Sequence, residues 1–252
     1  MTFGATRVGT AIPQHARSAS DVVAKARIFH AVDPAAVASA SERLPRVDFS
    51  ARQTIYVEGE IEDRLYIVVS GKFKLTHSCA DGRTLLLAVV GPSDVFGDLS
   101  VFDPGPRTAS ATALTKASAV MMDRATLRIW LNAHPEVAKR LLRVLARRLR
   151  RTDDDLSDLI FTDVPCRVAK QLLRLTQRFG VRQGSSVRVD HGLSQEEIAQ
   201  LVGSSRETVN KIMTDFARRR WIRLKGKSLL VTDSASLVRR ARLTVIPNPG
   251  GA

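Results

Sequence analysis

Turn-forming residues recur about every ten positions between Val47 and Met122 and then stop, and this change of period constrains the fold more than any other feature. Short runs rich in Val, Ile, Leu and Thr are separated there by Glu58-Gly59-Glu60, Ser70-Gly71-Lys72, Asp81-Gly82-Arg83, Gly91-Pro92-Ser93-Asp94 and Asp103-Pro104-Gly105-Pro106. The spacing predicts an antiparallel sandwich or barrel, with Arg64 to Leu75 as two strands about a glycine turn. Upstream, Val22, Val23, Ala26, Ile28, Val37 and Ala40 fit short helices, broken where Asp33 caps a helix that Pro34 begins. After Asp123 the helical period returns in Leu127, Trp130 and Leu131 and breaks at His134-Pro135.

From Glu136 to Phe161, Val137, Leu141, Val144, Leu145, Leu149, Leu156, Leu159 and Ile160 recur at three- and four-residue steps, which predicts one helix of about 40 Å. Its other face carries Arg140, Arg143, Arg147, Arg148, Arg150 and Arg151. A helix this long needs cover for its apolar stripe, and a parallel copy in a second subunit supplies it economically; a basic helix on the surface of one chain is the alternative. The helix should end near Thr162-Asp163-Val164-Pro165, since the residue before proline is pushed out of helical geometry, leaving a boundary and a hinge. A helix from about Cys166 to Phe179 and a turn at Gln183-Gly184-Ser185-Ser186 follow. The expected plan is a flexible leader (1–20), a β-domain (21–135), a dimerisation helix (136–163), a C-terminal domain (164–240) and a flexible tail (241–252), an α+β chain overall.

Composition sorts the function classes. With 252 residues and 44% hydrophobic content the chain can bury two cores. Its formal charge is +14, of which the stretch 164–240 carries +10, so a polyanionic partner is expected at the C-terminal end. No run of about 18 apolar residues exists to span a bilayer, and residues 1–20 lack the apolar core of a signal peptide. Cys79 and Cys166 stand far apart without zinc or iron-sulfur spacing, which fits a reducing, cytoplasmic setting and no metal. No acid-base pair marks a catalytic site; His77, His134 and His191 read as surface or cap residues.

Ser194-Gln195-Glu196-Glu197 is a capping box that starts a helix through Ile198, Ala199 and Leu201. Gly203-Ser204 supplies the sharp turn of a helix-turn-helix, and the second helix, Ser205 to Phe216, keeps Val209, Ile212, Met213 and Phe216 for the core. Arg206, Glu207, Asn210 and Lys211 fall on the opposite side. Arg206 can grip guanine O6 and N7, Glu207 can accept from cytosine N4, and Lys211 can reach a guanine or a phosphate. Ser205 and Thr208 suit phosphates at the helix N-terminus. An ordinary charged surface helix is the rival reading. Against it stands the run Trp221 to Val231, two strands about Lys225-Gly226-Lys227 that make a wing with a basic tip. Ser194, Ser205, Arg206, Glu207, Thr208, Lys211 and Lys227 are therefore the candidate contacts to double-stranded DNA.

These residues resemble the cyclic-AMP receptor protein/FNR regulators over about Asp21 to Arg240. Gly203-Ser-Ser-Arg-Glu-Thr-Val-Asn-Lys211 is similar to that family's recognition helix, in which the Arg and Glu read a GTGA-type half-site. Lys211 stands where the best-known members have arginine, and lysine cannot form the planar fork. Phe102 to Thr108, Leu141 to Thr152 and Asp158 to Pro165 look closest to the actinobacterial cyclic-AMP receptor proteins. The resemblance implies an N-terminal antiparallel β-roll that binds a cyclic nucleotide, a long dimerisation helix and a C-terminal winged helix-turn-helix. It also implies a homodimer on palindromic DNA, RNA polymerase as a further partner, and no enzymatic activity.

Phe96 to Ala111 is the second constellation. On chemistry alone it offers a glycine for close approach, an acid, and an Arg107-Thr108 pair able to hold an anion by a fork plus a hydroxyl, although such a pair also suits a plain surface strand. The segment is similar to the phosphate-binding cassette of cyclic-nucleotide-binding domains, with Gly97, Asp98, Leu99, Ser100, Arg107 and Thr108 in order. The resemblance puts Arg107 and Thr108 on the cyclic phosphate, Asp98 on the ribose 2′-OH, and Leu87 and Ala88 around the base. It puts Arg148 near the phosphate side and Thr152 on the adenine amino group, with Asp153 approaching from the partner helix. Asp98 replaces the glutamate of most cyclic-AMP binders and is shorter by a methylene; Asp153 replaces a small polar residue and brings charge towards the base. The implied protein is a cyclic-AMP-responsive regulator; the alternative is a regulator of the same fold that acts largely independently of nucleotide.

Overall fold

The computed structural model describes residues 19–26 and 44–242. Of the expected leader only Ala19 and Ser20 are described, and they open a helix; the rest of it, the break at Asp33-Pro34 and the closing segment from Ile246 lie outside the described residues. The chain forms two compact units that divide between Asp153 and Asp154.

Among the described residues the first unit carries α1 (Ala19–Ala24) and eight antiparallel strands: β1 (Arg46–Phe49), β2 (Thr54–Tyr56), β3 (Arg64–Ser70), β4 (Phe73–Ser78), β5 (Thr84–Val90), β6 (Val95–Phe96), β7 (Ser110–Ala113) and β8 (Ala117–Asp123). They form two four-stranded sheets, ordered β1-β8-β3-β6 and β2-β7-β4-β5. The short α2 (Leu99–Phe102) follows β6, α3 (Arg124–Ala133) follows β8, and α4 (Pro135–Phe161) follows the His134 break.

Strand β3 shows how the sequence builds this unit. Side chains alternate across a strand, and all of Leu65 to Val69 are buried, so β3 faces two cores at once. Tyr66 and Val68 join Phe49, Tyr56, Phe73 and Phe96 between the sheets. There Tyr66 stacks on Phe96 with centroids 5.1 Å apart, and Phe73 lies 5.0 Å from the same ring. Leu65, Ile67 and Val69 point the other way, onto Leu127 of α3 and Val137 and Leu141 of α4. Each such side chain contributes about 2 kcal/mol on burial, so the two faces act as independent anchors for the helices and the second sheet. Gly71 makes the β3–β4 turn: at φ +75°, an added Cβ would lie 2.4 Å from the Lys116 carbonyl oxygen.

Only Val137 and Leu141 of α4 are buried, whereas Leu142, Leu149, Leu156, Leu159, Ile160 and Phe161 are exposed. The unit boundary falls inside this helix, not at either of its ends as the sequence plan has it. The physical reason is a division of labour: the first turns of α4 belong to the β-core, while Asp155 and Asp158 near its end pair with Arg174 and Lys170 of α5 (Val164–Phe179).

In the second unit Asp163 caps α5 by accepting from the Cys166 N–H at 2.8 Å, so α5 begins at Val164 and includes Pro165 in its first turn. Helices α6 (Gln195–Val202), α7 (Arg206–Arg218) and α8 (Ser234–Arg240) complete the helical layer. The expected wing is present as β11 (Ile222–Lys225) and β12 (Ser228–Val231), but it is half of a larger sheet. The Gln183 to Ser186 segment is the hairpin of β9 (Gly180–Gln183) and β10 (Ser186–Val189), and β10 pairs with β12 to give the order β11-β12-β10-β9. Of the surface and cap readings of His191 the first does not hold: it is buried, and its Nδ1 accepts from the Leu193 N–H just ahead of α6.

Candidate ligand cavity and DNA-reading surface

Arg107 organises the cavity of the first unit. It is 4% exposed at the end of the loop before β7, and burying a guanidinium demands partners for its donors. Nη1 donates to the Gly97 carbonyl (2.6 Å) and Ser100 Oγ (2.8 Å); Nη2 donates to Glu62 Oε2 (2.7 Å) and the Arg64 carbonyl (2.6 Å). The Tyr56 ring lies against the guanidinium carbon, 4.1 Å away. Arg107 Nε is buried without a hydrogen-bond partner. Gly97 permits this seat, because at φ +72° an added Cβ would stand 2.7 Å from Arg107 Nη1.

Asp98 is equally buried and receives both bonds of Arg148 Nη1 (2.8 and 2.7 Å), while Arg148 Nη2 donates to the Val95 carbonyl. Tyr66 donates to Glu62 Oε1. Its phenol is held far above the ordinary tyrosine range by burial first and by the Glu62 carboxylate second, so it remains a neutral donor. Burial also raises Tyr56, with Arg107 opposing.

An open cavity of about 130 Å³ is formed where these groups meet. Of the residues singled out from sequence, Gly97, Asp98, Leu99, Ser100, Arg107, Thr108, Arg148 and Leu87 line it. Leu87 and Leu99 are half exposed, an apolar rim on a charged floor. Ala88 does not line the cavity. Thr152 and Asp153 also stay apart from it, exposed on α4, with the Thr152 hydroxyl donating to the Arg148 carbonyl. Tyr56, Leu75 and Ala109 line it without having been singled out, and Glu62 reaches Arg107 unannounced. Glu62 and Arg107 are 45 positions apart, so no local pattern could have flagged the pair.

On the second unit the capping box of α6 is complete: Ser194 Oγ accepts from the Glu197 N–H, and Glu197 Oε2 accepts from the Ser194 N–H. Gly203 ends α6 at φ +61°. Ser205 then caps α7, accepting from the Thr208 N–H (3.1 Å) and donating to Thr208 Oγ1 (2.9 Å). Arg206, Glu207, Asn210, Lys211 and Thr214 are exposed on α7, while Val209, Met213 and Phe216 are buried. Lys227 is exposed in the two-residue turn between Lys225 and Ser228. Its carbonyl accepts from the Gly192 N–H at 3.0 Å, which ties the wing tip to the loop just before Ser194. Arg167 of α5 joins the end of α4 to the helix-turn-helix, donating to the carbonyls of Thr162, Val202 and Gly203.

Comparison with known proteins agrees with this division. Residues 46–134 match the family model of the cyclic nucleotide-binding domain, and residues 166–240 match that of the Crp-like helix-turn-helix domain. The chain is 60% identical over 222 residues to the "CRP-like cAMP-activated global transcriptional regulator" of Mycobacterium tuberculosis, covering 88% of this chain and 99% of that one. It is 33% identical to the "Cyclic AMP receptor protein" of Thermus thermophilus, covering 83% and 94% of the two chains. FixK2 of Bradyrhizobium japonicum shares the fold with a TM-score of 0.71 at 23% identity, covering 81% of this chain and 99% of that structure.

Proposed function

Because the chain belongs to the cyclic-AMP receptor protein/FNR family of transcription regulators, we propose that it is a homodimer that reads two-fold symmetric DNA under the control of cyclic AMP. The observation that carries the ligand is the meeting of Arg107, Asp98, Ser100, Thr108 and Arg148 in one cavity with an apolar rim. A cyclic nucleotide has an anionic phosphate, a ribose hydroxyl and a flat base, and the cavity offers a counterpart for each. The unpartnered Arg107 Nε is a donor for a phosphate oxygen, and Thr108, which lines the same cavity, brings a hydroxyl for another. Asp98 is an acceptor for the ribose hydroxyl, and Leu87 and Leu99 offer apolar contact to the base. Thr152, Asp153 and Ala88 enter by resemblance: Thr152 on the adenine amino group, Asp153 from the partner helix and Ala88 near the base. Pockets for drug-sized ligands usually measure roughly 300–1,000 Å³, so the exposed side chains of the rim swing outward to admit the nucleotide.

Arg206 and Glu207 read base edges, Lys211 a base or phosphate, and Ser194, Ser205, Thr208 and Lys227 contact phosphates, Ser194 through the proton its cap leaves over and Ser205 by turning its hydroxyl away from Thr208. Leu142, Leu149 and Leu156 recur at heptad spacing and exposed on α4, the pattern of a helix paired with its copy. Two copies then place their recognition helices about one DNA turn apart. Cyclic AMP acts by binding the DNA-competent arrangement better than the other. RNA polymerase is the further partner, and the cytoplasm the setting. No helix of the described residues is long and apolar enough to cross a membrane. The chain acts as a regulator and not as an enzyme.

The Asp98–Arg148 pair favours a second reading, since it engages the ribose acceptor internally: a regulator that binds DNA whether or not nucleotide is present. Calorimetric titration with cyclic AMP and cyclic GMP, on the chain and on Arg107→Ala, tests the site; heat that survives the substitution moves the ligand elsewhere. Operator affinity measured with and without cyclic AMP separates the two readings. An affinity that does not change while the nucleotide binds leaves the second standing.

A further inference from the structure

Charged side chains pair off at the cavity. Arg107 pairs with Glu62 and Arg148 with Asp98, and the half-exposed Arg64 guanidinium also approaches Glu62 Oε1 at 3.9 Å, so an anionic ligand meets a site where each buried or cavity-lining cation already has an acid against it. The two acids differ in position. Asp98 lines the cavity, whereas Glu62 does not; it lines a neighbouring cavity with Ile61, Asp63, Arg64 and Arg124 and touches Arg107 from there. Glu62 thus reaches the guanidinium without standing where the ligand would.

Resting on the nucleotide reading above, we infer that Glu62 is a built-in counter-ion that attenuates the affinity of the Arg107 site for the ligand's phosphate. Glu62 has two opposing effects on Arg107: it helps to hold the guanidinium, and it cancels its charge. The first is redundant, because Gly97, Ser100, the Arg64 carbonyl and the Tyr56 ring hold the same group. The second is not redundant, because no other acid contacts Arg107 among the described residues, whose side chain is only 2% exposed and therefore weakly screened. The charge effect decides the sign, and Glu62 lowers anion affinity. Tyr66 reinforces the device by donating to Oε1 and steering Oε2 onto Arg107.

Calorimetric titration of the full chain with cyclic AMP and with adenosine, which lacks the phosphate, tests this on Glu62→Gln, Glu62→Ala and Glu62→Asp. Glu62→Gln keeps the acceptor and loses the charge, and it should bind cyclic AMP about tenfold more tightly. Glu62→Ala should move in the same direction, which keeps the test decisive should the Gln variant misfold. Glu62→Asp should stay near the unsubstituted protein, and adenosine should bind all of them alike. Unchanged or weaker cyclic-AMP binding in both neutral variants, or an equal gain for adenosine, overturns the inference and leaves the nucleotide reading intact. Absence of cyclic-AMP binding from every variant and from the unsubstituted protein sinks both.

Discussion

Gly97 and Arg107 depend on each other at the scale of single residues. Gly97 sits at φ +72°, and an added methyl would meet Arg107 Nη1 at 2.7 Å and the Arg64 carbonyl at 3.0 Å. Gly97→Ala should therefore cost about 2 kcal/mol, from left-handed strain and displaced hydrogen bonds, and should abolish cyclic-AMP heat in the same preparation. Urea unfolding and calorimetry together check it; a stable variant with normal binding would show that the loop relaxes. On the recognition helix the contrast is between reading and holding. Arg206→Ala should lose about 1–3 kcal/mol on the preferred operator and relax discrimination at one base, whereas Lys227→Ala should weaken all sequences alike and lower the salt slope by about one. Binding curves on matched and mismatched operators at several salt concentrations distinguish them.

At the scale of elements, the caps explain where helices begin. Asp163 caps α5 and also pairs with Arg240 of α8 at 3.0 Å, tying α5 and α8 together. The Arg240 guanidinium is the chief reason that the Asp163 carboxyl lies below its ordinary value; burial, the next-largest influence, opposes it, and the Cys166 N–H adds to the lowering. A depressed folded-state value means that the stabilisation is present above the unfolded carboxylate range, about 3.9, and is lost as pH falls through the lower folded value. Asp163→Ala should cost about 1 kcal/mol near pH 7, mostly through the cap, since the side chain is half exposed and its ion pair is screened. Repeating the unfolding curve near pH 3 should show a smaller difference between the two proteins; a constant difference would remove the carboxylate from the account.

For the whole molecule the exposed stripe of α4 governs assembly. Leu142, Leu149 and Leu156 are each more than half exposed along one stripe, an arrangement that a second copy would bury. Leu149→Arg should halve the mass measured by sedimentation and weaken operator binding at least tenfold, because one helix-turn-helix then engages one half-site. A variant that remains dimeric would place the interface elsewhere. The +14 charge acts at this scale too, drawing the protein to DNA of any sequence before α7 reads it.

How much was legible follows from the range of the interactions involved. Local ones were plain in the sequence: the period-2 runs and glycine turns of the β-unit, the helical stripe to Phe161, the capping box at Ser194 and the wing turn at Gly226-Lys227. Each is set by dihedral preference or hydrogen bonding within a few residues, so the chain itself determined it. The cavity-lining residues between Gly97 and Thr108 could be picked out for a similar reason, as residue types in a fixed order. What only the tertiary structure decided is pairwise and distant. Glu62 on Arg107, Arg148 on Asp98, the β10–β12 pairing and the Lys227 carbonyl on Gly192 join residues far apart in the chain. A buried charge must find its partner wherever the fold brings one, and residue order does not name that partner in advance.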